Sequence, residues 1–115
     1  MEIKTWRDLE QLIRDKDFLT VRRELPYLRD ADVAILMEEL SAEHAIVAFR
    51  SLPKDRAAEV FAYLSATMQN HIVSAITDQE VGSIINQLFV DDAADFLEEA
   101  PASVVKRVLK ISALV

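Results

Sequence analysis

The residues with the most chemical potential in this chain are carboxylates. In VDDAADFLEEA, Asp91, Asp92, Asp95, Glu98 and Glu99 place five acids within nine positions, and no basic residue occurs between Val81 and Val105. Asp91 and Asp95 lie four apart, so on a helix they project from one face, where like charges destabilise the helix slightly. The same spacing recurs at Asp55 and Glu59 in LPKDRAAEVFAYL. Two chemistries fit. The simpler is a solvated helix face, with acids near the N-terminus favoured by the macrodipole. The other is a hard divalent cation that offsets the repulsion. An all-oxygen ligand set without Cys or clustered His suits Mg²⁺ or Ca²⁺ rather than zinc or copper. Two exposed carboxylates do not fill a six-coordinate sphere, so water or a second surface must then supply the remaining ligands.

Other chemistries are excluded more firmly. Gly82 is the only glycine, which removes phosphate-cradling loops and the nucleophile elbow of hydrolases. Cysteine is absent, so there is no disulfide, thiolate zinc site or thiol nucleophile, and a reducing intracellular setting is permitted. His44 and His71 are isolated, without a metal-binding spacing, and read as solvated surface residues. Ser, His and Asp show no triad spacing. The chain is not read as an enzyme.

The elements that must position the acids are helices. The sequence has 115 residues, 51% hydrophobic and 29% charged, with three Pro, a composition that suits one packed, helix-rich domain. Read in steps of twelve, Leu28, Leu40, Leu52, Leu64, Ile76, Leu88 and Ala100 are all apolar. Three residues earlier lie Leu25, Met37, Phe49, Phe61, Val73, Ile85, Leu97 and Leu109; four earlier, Leu36, Ala48, Val60, Ile72, Ile84, Phe96 and Val108. Seven earlier come Val21, Val33, Ala45, Ala57, Val81, Ala93 and Val105, with Gln69 the sole break. Offsets of 3, 4 and 7 define one helix face. Just after the anchor come Ser41, Pro53, Ser65, Thr77, Phe89 and Pro101, mostly residues that start helices. The unit is therefore a helix of about nine or ten residues and a tight turn. Such helices are marginal alone and are stabilised by stacking on their neighbours. On this grid Asp91 maps onto Asp55 and Asp95 onto Glu59, three repeats away, and only those two units carry acids at both positions.

Before the array, Thr5 caps a helix carrying Trp6, Leu9, Leu12 and Ile13, and Asp17 caps a second carrying Leu19, Val21 and Leu25 up to Pro26. Trp6, Phe18, Phe49, Phe61 and Phe96 sit at helical spacing and read as core. The expected fold class is all-α, a right-handed, armadillo-like superhelix of about nine short helices. Residues 1–27 form an N-terminal helical cap and 28–115 the repeat, together one compact domain. Net charge is −7. Residues 1–29 hold seven basic and six acidic side chains, and the remainder six and fourteen. That second part repels phosphate backbones and anionic lipid, so nucleic acid is excluded as a partner and cations or basic surfaces are preferred. No run is apolar enough to span a bilayer, and the N-terminus lacks the apolar core of a secretion signal.

The run LMEELSAEHAIVAFRSLPKDRAAEVFAYLS, followed by LFVDDAADFLEEAP, resembles the cytoplasmic N-terminal domain of MgtE-type magnesium transporters, over about residues 28–109. LPKDRAAEVFAYL (52–64) and DDAADFLEE (91–99) carry the resemblance, at matching separation on the twelve-residue grid. Residues 66–88 depart from the family's acidic, Leu-rich pattern, and 1–27 match only as helices. The resemblance implies a superhelical regulatory domain that precedes paired CBS domains and a membrane pore in a homodimer. Mg²⁺ bound between this domain and the CBS domains then holds a closed state. It also implies Glu59, Asp91 and Asp95 as metal contacts, with Asp55 and Asp92 supporting from the layer behind. Because KRVLKISALV ends before any CBS or membrane segment, the expectation is an excised domain from the cytoplasmic side of the cell membrane, soluble by itself and binding Mg²⁺ weakly. The competing class is a stand-alone helical-repeat interaction module similar to those of the flagellar motor switch, which needs no paired acids.

Overall fold

The computed structural model describes residues 2–113 and is all-α. Among the described residues there are nine α-helices: α1 Trp6–Arg14, α2 Phe18–Glu24, α3 Asp30–Glu39, α4 Ala42–Arg50, α5 Lys54–Tyr63, α6 Ala66–Ala75, α7 Asp78–Gln87, α8 Val90–Glu99 and α9 Ala102–Ala113. A short 3-10 turn, Leu25–Tyr27, follows α2. From α3 onward the helices start twelve residues apart, as the repeat requires.

The turns arise where the sequence places helix starters. Ser41, Ser65 and Thr77 each accept the backbone N–H three residues on, at 3.2 Å. This satisfies a donor that the first helical turn leaves free. Asp17 accepts from both the N–H (3.3 Å) and the hydroxyl (2.7 Å) of Thr20. The Asp8 carboxylate accepts the N–H groups of Lys4 and Thr5, which hold its pKa below the ordinary range. Phe89, before α8, makes no such bond.

From α3 onward, connections of two or three residues leave each helix touching the one after next. Thus α3 packs on α5, α5 on α7 and α7 on α9, while α4 packs on α6 and α6 on α8, and α1 covers the starts of both rows. The result is a two-row stack, 42 × 22 × 21 Å. Gly82 lies where α7 meets α9; a Cβ there would sit 3.2 Å from Ile111. The core runs along the stack, with Val21, Val33, Ala45, Ala57 and Val81 buried on the expected phase. Phe49, Phe61 and Phe96 join through edge-on ring contacts at 6.2 and 5.2 Å.

Two arginines staple the odd row. The Arg56 guanidinium, from α5, binds Asp30 Oδ1 at the start of α3 (2.5 Å) and donates to the carbonyls of Pro26 (2.8 Å) and Leu28 (2.6 Å). Arg107, from α9, repeats the pattern with Asp78 (2.7 Å), the Ile76 carbonyl (2.8 Å) and the Val73 carbonyl. Each fork satisfies carbonyls that a turn leaves without partners.

Several sequence expectations require correction. Gln69, the break in the pattern, is buried, and its side-chain amide donates to the Phe61 carbonyl at 2.9 Å. A polar residue is tolerated there because it closes a helix end. Phe18 and Leu19 are not core: they are 40% and 71% exposed, since α2 buries only Thr20 and Val21. Leu109 is also exposed, on the outer side of the last helix. His44 is only partly solvated: its side chain is 26% exposed, but Nδ1 is buried without a hydrogen-bond partner, 3.6 Å from Glu10.

Candidate functional site

The acids of α5 and α8 face outward because their helices spend the opposite side on the core. In α5, Ala57, Ala58, Val60 and Phe61 are buried, which turns Asp55 and Glu59 to solvent. In α8, Phe96 points inward and Asp91, Asp95, Glu98 and Glu99 are exposed. Stacking α8 against both α5 and α6 then creates two open grooves.

The first, about 480 Å³, has a floor of Ala58, Ala62 and Leu88. Its acids come from three helices: Asp30 from α3, Asp55 and Glu59 from α5, and Asp92 from α8. Tyr63 and Phe89 flank it. The second, about 350 Å³, lies between α6 and α8 and carries Asp92, Asp95, Glu98 and Glu99 beside buried Gln69 and Phe96. Asp92 borders both grooves, and neither has a Lys or Arg in its lining. Asp91 is exposed on the outer side of α8.

Within the first groove, Asp30 and Glu59 are close enough to share a proton. Glu59 is raised from the ordinary carboxylate value, first by the hydrogen bond it donates to Asp30 when protonated, then by the Asp30 charge. For Asp30, burial pushes the carboxyl up, but the Glu59 hydrogen bond and the Arg56 guanidinium outweigh it and the net direction is down. The pair therefore stands in an electrostatic field that a bound cation would relieve.

The fold brings Asp55, Glu59 and Asp92 to one groove and Asp95 to the next, with Asp91 outside both. Among the described residues no three His, Asp or Glu side chains converge on one cation position. The acids are spread over the two grooves rather than gathered at one point, so a cation held by any of them would need water or a second surface to complete its sphere. Asp30 escaped the sequence reading because it is not on the phase of the paired acids and reaches Glu59 only through the α3–α5 stack. Phe89 did leave a signal: it broke the run of Ser, Thr and Pro after the anchor leucines.

With this geometry in place, comparison with known proteins is decisive for the family. The model of the MgtE intracellular N domain matches residues 28–113. The chain belongs to that family. It is also 32% identical over 98 residues to the magnesium transporter MgtE of Thermus thermophilus, an alignment covering 85% of this chain and 22% of that protein. The chain thus spans about a fifth of the length of this relative. Every groove acid, from Asp30 to Glu99, lies inside the MgtE N domain match, whereas α1, α2 and the 3-10 turn precede it.

Proposed function

We propose that this chain is the magnesium-sensing regulatory domain of an MgtE-type transporter, acting on the cytoplasmic side of the membrane and not as an enzyme. The observation that carries the reading is the unneutralised acidic face: Asp55, Glu59, Asp92 and Asp95 line two grooves that contain no basic lining residue, and Asp91 is exposed nearby on the outer side of α8. No helix among the described residues is long and apolar enough to cross a membrane, so the pore is assigned to another part of the transporter.

In this reading the partner is a pair of CBS domains of the same homodimeric transporter, bearing acids of their own. Without Mg²⁺ the two acidic surfaces repel. Ions held between them turn repulsion into attraction and keep the pore closed, and falling Mg²⁺ releases the domain. Each ion contributes a coupling of about 1–3 kcal/mol, so several must act together to move a gate decisively. The isolated domain holds Mg²⁺ weakly because half of each coordination sphere belongs to the partner.

A Mg²⁺ titration followed by amide NMR, with KCl at matched ionic strength as the control, tests the reading. Shifts confined to the surroundings of Glu59, Asp91, Asp92 and Asp95, and weakened in the Glu59→Ala, Asp91→Ala double variant, are expected. Identical responses to Mg²⁺ and to KCl would remove these residues from metal sensing.

A further inference from the structure

Two exposed features of the fold are complementary, and the first has no part in the metal-sensing reading. The first is the outer face of α2. Phe18 and Leu19 are 40% and 71% exposed, and Arg22 and Arg23, one turn on, are exposed beside them. Positions i, i+1, i+4 and i+5 share one face of a helix, so α2 presents a short apolar and cationic ridge. The second is the first groove, with its apolar floor, its aromatic flanks and its four carboxylates.

An independent observation marks that groove as a place of contact. Phe89 occupies the N-cap position of α8, where a hydroxyl or carboxylate side chain would satisfy a free N–H, and makes no capping bond. It is 77% exposed, Val90 beside it is 83% exposed, and Tyr63 across the groove is 63% exposed. Arg29 and Pro53 also start helices without a side-chain cap, but only Phe89 among these N-caps is a large exposed apolar residue, and it stands with Val90 and Tyr63 in an exposed apolar patch of the kind that contact sites present. Among the described residues α2 of the same chain matches it in both charge and hydrophobicity, with two exposed apolar and two exposed cationic side chains on one face, where α9 offers only Leu109 between Lys106 and Lys110. Charge division along the sequence gives the same polarity, basic before residue 30 and strongly acidic after it.

We propose that α2 of one copy docks in the Asp30–Glu59–Asp92 groove of a second copy, a head-to-tail self-association with Phe18 and Leu19 against Tyr63 and Phe89. Arg22 and Arg23 then pair with the groove acids. The two patches are different surfaces, so the contact is heterologous, and each copy keeps one ridge and one groove free to extend it. A ridge this small makes a weak contact that salt screens.

Sedimentation equilibrium of the full chain in EDTA at low salt tests this without involving Mg²⁺, so its failure would leave the metal-sensing reading untouched. The weight-average mass is expected to rise with concentration from 13.0 kDa and to fall back when salt is added. Arg22→Glu with Arg23→Glu, and separately Asp55→Lys with Glu59→Lys, should each hold the chain at monomer mass with the helical circular dichroism retained. Leu19→Asn, which leaves charge unchanged, should do the same. Mixing the two charge-reversed chains is the sharpest arm: the intact groove of one meets the intact α2 of the other, and the new glutamates meet the new lysines, so the mixture should associate where neither chain does alone. A wild-type chain that stays monomeric at every concentration would overturn the proposal. So would charge-reversed chains that associate like the wild type, or a mixture that stays monomeric.

Discussion

At the scale of single residues, Arg56 does the most. Its side chain is 24% exposed, and it satisfies one carboxylate and two carbonyls across the α3–α5 contact. Arg56→Ala leaves three acceptors short and is expected to cost about 2–3 kcal/mol, read as a lower urea midpoint at unchanged slope. Arg56→Lys should lose most of the same stability, because a point charge does not reach three acceptors in one plane. Glu59 behaves oppositely. Asp30, held below the ordinary range, contributes stability above its unfolded pKa that disappears as pH falls through its folded value. Glu59, held above the ordinary range, withdraws stability when charged and ceases to do so as pH falls through its raised value. Glu59→Gln should therefore raise the urea midpoint at pH 7, and the gain should vanish on acidification; a gain independent of pH would refute the shared-proton account.

At the scale of the helix, the caps distinguish folding from function. Ser41, Ser65 and Thr77 close the starts of α4, α6 and α7, while α8 begins with an exposed aromatic. Phe89→Ser supplies the missing acceptor and is expected to stabilise the domain by about 0.5–2 kcal/mol, visible as a higher melting temperature. The same substitution should weaken self-association, since it removes a flank of the groove. A residue that lowers stability where it stands and raises binding is the signature of a surface kept for a partner. Gln69 is the converse, a polar residue whose burial serves only the helix end it closes.

At the scale of the whole molecule, stability is a sum over neighbouring helices rather than a property of one central core. Buried side chains are dense from α4 to α6, including Phe49, Phe61, Ile72 and Val73, whereas α8 buries only Phe96. Native-state hydrogen exchange should therefore show the slowest amides in α5 and α6 and progressively faster ones toward α8. Uniform protection along the chain would mean that the stack opens as a single unit. The gradient also places the acidic grooves between firm walls, α5 and α6, and a looser one, α8, so that a ligand bridging them would raise protection most in α8.

Sequence alone determined what depends on short-range periodicity. Helix type, the twelve-residue unit and the outward placement of Asp55, Glu59, Asp91 and Asp95 all follow from residues within one or two turns of each other. Such local geometry repeats wherever the pattern repeats. The resemblance to MgtE N domains rested on two motifs on that same grid. Tertiary structure decided what depends on residues far apart in sequence. It joined Asp30 to Glu59, set Arg56 across three acceptors, divided the acids between two grooves with Asp91 outside, and left Phe18, Leu19 and Phe89 on the surface. The physical reason is that periodicity specifies which way a side chain points from its own helix, while only the stacking of each helix on the one after next specifies what it then meets.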